Sequence, residues 1–259
     1  MFIAGRIFSF WFLVAVLAAI AVAVYRSTKL GKIPKLRELA PVTAIKEAVG
    51  RATEMGRPIH YSPGFAPLMD LNSASTFAGL ALLQYTAKLA ARFNASLIVT
   101  INQPDVFPVA EEMVLQAYVQ EGKRENMKPD TVRYLSDQQF SYSAAVFGLI
   151  MRERPAANLL LGKWDAASIM IAECGAAVDA IQISGTANSS QIPFLVAACD
   201  YTLIGEELFT AGAYVSGDAT QIGTIFGQDI GKAIVVALIV LGVIFEAAGV
   251  TTIKTLLKL

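Results

Sequence analysis

Histidine is almost missing from this chain of 259 residues: His60 is the only one. That excludes a metal centre built from several imidazoles, and the acidic residues show no clustering that would build one from carboxylates alone, so no metal is expected. Cysteine is scarce too. Cys174 and Cys199 have neither metal-ligand spacing nor a disulfide framework, and both read as small buried hydrophobes rather than reactive thiols. Charge is low and balanced, with 21 Lys+Arg against 21 Asp+Glu, so nothing points to nucleic acid. The phosphate-cradling patterns G-x-G-x-x-G and G-x-x-x-x-G-K-[ST] are absent, and Gly162-Lys163-Trp164 lacks both the upstream glycine and the following hydroxyl of the second. No G-x-S-x-G elbow exists to activate a serine, although Ser62 lies near His60. No cofactor is expected, and the balance leans away from an enzyme.

What the chain has in abundance is apolar sequence, 55% of its residues. Ile7–Tyr25 carries no charge, and its ~19 residues suffice to cross a ~30 Å hydrocarbon core as a helix. Ala233–Ile253 is a second run of similar length, interrupted only by Glu246. A cleaved signal peptide is the competing reading of the first run, since Ala21-Val22-Ala23 resembles a cleavage site. Its apolar core is too long for that, and the basic cluster behind it favours an anchor. Arg26, Lys29, Lys32, Lys35 and Arg37 form that cluster. Under the positive-inside rule they place the central domain in the cytoplasm and both termini outside, with Lys254 and Lys258 opposing weakly.

Between the runs, short apolar stretches alternate with helical periodicity. Strands are expected at Ile59–Tyr61, Leu97–Ile101, Val132–Leu135, Asn158–Leu161, Ala180–Ser184 and Tyr201–Ile204. Helical patterns cover Pro41–Met55, Ser75–Phe93, Val109–Glu121, Ser141–Arg152, Ala166–Ala177, Ile192–Ala198 and Glu207–Val215. This alternation predicts an α/β fold: a doubly wound, mostly parallel, Rossmann-like sheet flanked by two transmembrane helices. Runs such as SLIVTI and NLLLG lack alternation, as for strands covered on both faces. The division is an anchor at 1–25, a basic connector with an amphipathic helix at 26–57, the α/β domain at 58–220, and a glycine-striped helix with the second span at 221–259.

Ligands of open α/β sheets bind at the carboxyl ends of the strands, which selects His60, Asn102, Thr186, Asn188, Ser190 and Glu206 as candidate ligand-binding residues. The loop Gly185–Gln191 is the most suggestive, since free N–H groups at a helix start attract anions. The competing reading makes these polar residues helix caps, with Asp165, Ser141 and Ser190 well placed for that duty.

The strings ISGT at 183–186, QIPF at 191–194 and CDYTLIGEE at 199–207 resemble an uncharacterised family of prokaryotic membrane proteins that carries a domain-of-unknown-function label. The resemblance spans roughly Ile33 to Lys232. It implies a cytoplasmic α/β domain with membrane helices and brings no activity, so no residue role follows from it.

The sharper signal is a glycine stripe. Gly223, Gly227, Gly231, Gly242 and Gly249 fall at roughly 0°, 40°, 80°, 100° and 80° on a continuous helix. Small residues let helix backbones approach closely in lipid. The first span offers a counterpart in Ala15, Ala19 and Ala23, and bulk added to the stripe should disrupt assembly. The alternative is that TQIGTIFGQD is a turn. Glu246 would be shielded at the same interface. Together these features point to a membrane-anchored scaffold in a prokaryotic plasma membrane, in contact with lipid and assembling with copies of itself or with other membrane subunits. The alternative function is a membrane-bound sensor or enzyme that binds a small polar or anionic ligand at the strand carboxyl ends.

Overall fold

In the computed structural model, residues 7–29 and 39–247 are described. In chain order, α1 (Ile7–Lys29) precedes α2 (Ala40–Met55), β1 (Ile59–Gly64), α3 (Ser73–Phe93) and β2 (Leu97–Ile101). Next come α4 (Val106–Gln120), β3 (Val132–Tyr134), α5 (Gln139–Glu153) and β4 (Ala157–Lys163). The remainder holds α6 (Ser168–Ala177), β5 (Ile181–Thr186), α7 (Ile192–Ala198), β6 (Tyr201–Ile204), α8 (Glu207–Ser216) and α9 (Ala219–Ala247). The chain divides into two compact units, Arg37–Ser216 and the terminal segments Met1–Leu36 with Gly217–Leu259.

In the first unit the six strands lie in the order β3-β2-β1-β4-β5-β6, and every neighbouring pair is parallel. This is the doubly wound α/β arrangement, with the winding direction reversing between β1 and β4. Alternate side chains leave opposite faces of a strand, and the two faces of this sheet differ in chemistry. Ile59, Tyr61, Val99, Ile101, Leu159, Leu161, Ile183 and Leu203 join a large apolar core with α2, α3, α4 and α8. On the other face Ile98 and Leu160 join a smaller core with α5, α6 and Leu195 of α7. The same face carries buried His60, Ser62, Thr100, Asn158, Gln182 and Ser184. Both faces are covered, as the unbroken runs imply, but one is lined with polar groups that those runs concealed.

The boundaries shift where tertiary contacts outvote local pattern. β1 continues through Ser62-Pro63-Gly64, because Gly64 remains paired with Lys163 of β4 after an irregularity at Ser62/Gly64. α4 starts earlier than its periodicity indicates, at Val106, and α6 later, at Ser168. In α2, Pro41 occupies the first turn, where its fixed φ suits a helix, and Gly56 closes the helix at φ 62°.

The second unit is a pair of helices. The segment TQIGTIFGQD is helical, and the second apolar run, as far as Ala247, is the distal part of one continuous α9 of 29 residues. Both α1 and α9 are long and apolar enough to cross a membrane.

Candidate functional site

In a doubly wound sheet the crevice for a ligand opens where the winding reverses, between β1 and β4 here. The chain itself closes that crevice. A Cβ built on Gly162 would lie 1.8 Å from the Pro63 carbonyl oxygen, and one on Gly64 2.3 Å from that of Lys163. Only glycine permits two backbones this close, and at Gly64 the φ of 89° independently demands it. Phe65 then donates its N–H to the Lys163 carbonyl at 2.8 Å. Its ring stacks edge-on against Tyr142 at 5.5 Å and Trp164 at 5.0 Å. Leu68 N–H to Asp105 Oδ2 (2.8 Å), Gln103 Nε2 to the Phe65 carbonyl (2.9 Å) and Thr76 Oγ1 to the Ala66 carbonyl (2.8 Å) pin the loop after β1. Buried nearby in sequence, Trp164 Nε1, Ser143 Oγ and Ser168 Oγ lack hydrogen-bond partners.

Beneath this edge a hydrogen-bonded chain crosses four strands, and its proton positions follow from its ends. Gln182 Nε2 donates to the Ala172 and Ala198 carbonyls, the latter at 3.2 Å. Its Oε1 must then accept from Asn158 Nδ2 at 2.7 Å. Asn158 Oδ1 is left to accept from His60 Nδ1 at 2.7 Å. His60 Nε2 therefore accepts from Thr100 Oγ1 at 2.9 Å. The Tyr142 hydroxyl shares its proton between Thr100 Oγ1 at 2.7 Å and the Thr100 carbonyl at 3.0 Å, and accepts from Ser62 Oγ at 2.6 Å. Every donor points the same way, an arrangement in which hydrogen bonds strengthen one another. Burial lowers the His60 pKa to about 4, against the opposing bond to Asn158, so the imidazole is neutral. Burial likewise raises the Tyr142 hydroxyl to about 12.

The residues selected from the sequence do not converge. His60 is fully buried near the start of β1, inside this hydrogen-bonded chain. Asn102 is buried at the end of β2, with Nδ2 on the Ser136 carbonyl at 2.6 Å. Glu206 is exposed beyond β6, and its carbonyl accepts from Thr210. β2 and β6 stand four strands apart, about 19 Å at the usual strand spacing, too far for one small ligand. Thr186, Asn188 and Ser190 do share a loop, and they are engaged with one another. Thr186 Oγ1 accepts from Asn188 N–H at 3.2 Å, and Asn188 Oδ1 from Ser190 Oγ at 2.9 Å. Asn188 Nδ2 holds the Trp164 carbonyl at 2.8 Å. The expected caps also move: α5, α6 and α7 start from Gln138, Ala167 and Gln191, without side-chain capping bonds. Asp165 instead pairs with Lys163 at 2.5 Å.

Ser62, Thr100, Asn158, Gln182 and, on α5, Tyr142 were not among the selected residues, although a polar residue interrupting the apolar runs of β2, β4 and β5 was a legible signal. Both thiols are pushed up to about 11, chiefly by burial, with the Glu173 charge adding at Cys174 and Asp200 at Cys199. Among the described residues, no group of three or more His, Cys, Asp and Glu side chains could hold a metal.

A family model described as a domain of unknown function, DUF6754, matches residues 1–257. The chain belongs to the DUF6754 family. No curated protein and no solved structure matches it.

The helix pair of this DUF6754 chain shows where its glycines act. A Cβ on Gly223 would come within 2.9 Å of Val24 Cα, and one on Gly227 within 2.7 Å of Ile20 Cα. At Gly231 it would make an ordinary 3.5 Å contact with Val16 Cγ1. The pairing is antiparallel, and Ser27 Oγ ties it off by donating to the Ala219 carbonyl at 2.6 Å. The expected counterpart therefore shifts by one residue, from Ala15, Ala19 and Ala23 to Val16, Ile20 and Val24. Ile20 and Val16 bring branched side chains against Gly227 and Gly231, whereas Gly223 meets the Val24 backbone and Ser27 Cβ. Ala23 is buried and lends its carbonyl to the contact at Gly223, Ala19 is half-buried, and Ala15 is exposed. These alanines line a shallow groove of about 350 Å³ beside Phe226 and Ile230. Gly223, Gly227 and Gly231 are thus spent within one chain, and bulk there would part its own helices first. Gly242 is half-buried. Gly249 and the Glu246 side chain lie outside the described residues.

Proposed function

We propose that this protein is a membrane-anchored scaffold. Its α/β domain is cytoplasmic, its helix pair sits in a prokaryotic plasma membrane, and it assembles there with copies of itself or with other membrane subunits. The observation that carries this reading is the two-sidedness of the helix pair. Its inner surface is closed by glycine against Val24 and Ile20. Its outer surface exposes Trp11, Leu13, Leu17, Val22, Ile239 and Val243, each more than half accessible. In water an apolar surface of this kind marks a binding or aggregation site. In lipid it is the solvated state, and close packing of small residues drives helix pairing.

Three further features favour scaffolding over chemistry. Beside the winding reversal the buried rings of Phe65 and Trp164 pack edge-on against each other, the buried imidazole is neutral and doubly bonded, and burial keeps both thiols protonated at neutral pH. The basic residues from Arg26 to Arg37, behind the first apolar run, support the cytoplasmic placement. The test uses full-length protein in native membranes. Resistance to alkaline carbonate extraction is expected, followed by a single defined stoichiometry in native mass spectrometry from mild detergent. Release by carbonate would sink the anchor, and a strict monomer would sink the scaffold.

A further inference from the structure

The outer face of α9 is unlike that of α1 at the same height. α1 is uncharged from Ile7 to Tyr25, and Val16 lies at the midpoint of that run. Gly231 of α9 stacks on Val16. Asp229 and Lys232 sit two residues before and one after Gly231, so at ~1.5 Å per residue both lie within roughly 3 Å of that height. They pair at 2.9 Å with side chains 58% and 48% exposed. At ~100° per residue, Gln221 and Gln228 fall within roughly 40° of Lys232, with Thr224 and Asp229 on the two flanks. This polar stripe begins level with the basic end of α1, near Ser27 and its partner Ala219, and stops at mid-height. From Ala233 to Ile244 the helix is apolar throughout.

Along the heights where α9 shows this stripe, α1 exposes Leu17, Val22 and Tyr25. A bilayer that covers the uncharged run of α1 puts the Asp229–Lys232 pair at its centre. A charged side chain there is costly and almost always faces protein or a water-filled cavity. Lifting the pair out of lipid would instead put Leu17, Val22 and Tyr25 into water. Both faces are accommodated only when α1 meets lipid and the α9 stripe meets something polar.

We propose that the stripe is the contact between copies of this chain, with α1 turned outward to lipid and the α9 stripes facing one another. The inference rests on the membrane-anchored reading above. Its occupant follows from self-complementarity. Copies inserted in the same orientation present identical heights, so Gln228 meets Gln228, and each amide both donates and accepts. The Lys232 ammonium of one copy meets the Asp229 carboxylate of another as well as its own. A symmetric pair needs one self-complementary patch, and this stripe is one.

The test uses the full chain in native membranes. Gln228→Cys, oxidised with copper phenanthroline, should give a disulfide-linked dimer, since a disulfide requires Cβ atoms roughly 4 Å apart. Leu17→Cys and the unaltered chain, whose Cys174 is buried and Cys199 half-buried, should give none. Asp229→Leu combined with Lys232→Leu should abolish the Gln228→Cys cross-link while leaving the protein carbonate-resistant. A protein that resists carbonate but cross-links at Leu17, at neither position, or at Gln228 only to a different protein overturns this inference and leaves the anchored reading intact. Release by carbonate overturns both.

Discussion

His60 would be a pH sensor if water could reach it; buried among Thr100 and Asn158, it acts as a strut between strands. Its protonation is nevertheless linked to folding. With a folded pKa of about 4 against an ordinary 6.5, the unfolded chain binds a proton that the fold refuses. Stability is therefore complete above pH 6.5 and falls as the pH drops toward 4, by roughly 3 kcal/mol over the interval at 1.36 kcal/mol per pKa unit. Denaturant titrations of the full chain in detergent from pH 7 to pH 4 should show this slope, and His60→Gln should flatten it. Parallel curves for the two proteins would show that the imidazole is not the group responsible. Trp164 differs from His60 in that its buried Nε1 lacks a partner.

At the scale of elements, the glycines of α9 form a graded series rather than a uniform stripe. Gly227 sits closest to its neighbour, with its absent Cβ 2.7 Å from Ile20 Cα, whereas Gly231 has room for a methyl group at 3.5 Å. Leucine at 227 gains ~1 kcal/mol of intrinsic helix propensity, so loss of the helix cannot explain a defect there. Overpacking of that kind typically costs 1–3 kcal/mol. Gly227→Leu should accelerate hydrogen exchange of the Val16–Val24 amides in detergent, read by mass spectrometry, while Gly231→Ala should leave it unchanged or slower. Equal exchange in the Gly227→Leu variant and the unaltered chain would mean that the seam contributes nothing to helix pairing.

For the whole molecule, the proposed anchoring turns on which side of a membrane the α/β domain would occupy. Ser27, otherwise a natural labelling position, is buried and bonded to Ala219. Lys29 is exposed and belongs to the basic cluster that motivates the cytoplasmic placement. Lys29→Cys should resist impermeant maleimides in intact cells and react after lysis. Labelling before lysis would reverse the orientation of the entire chain.

Strand and helix existence was legible in the sequence because it depends on local pattern. Leu97–Ile101, Ile192–Ala198 and Tyr201–Ile204 keep the limits that their periodicity sets, and the five helical crossovers made a parallel sheet the natural arrangement. Where a residue's role depends on its neighbour across space, the sequence was silent. Pro63-Gly64 reads as a turn in isolation, and becomes strand only because Lys163 lies alongside. Asn158 and Gln182 look like breaks in apolar runs until strand order makes them adjacent. The glycine spacing announced a close helix contact, but its partners, the Val24 and Ile20 backbones with the Ile20 and Val16 side chains, emerge only from the pairing of α1 with α9. Local torsional preference and hydrophobic period are properties of a short segment and can be read from it. Register, crevice closure and hydrogen-bond direction are properties of pairs far apart in the chain, and only the packed structure brings those pairs together.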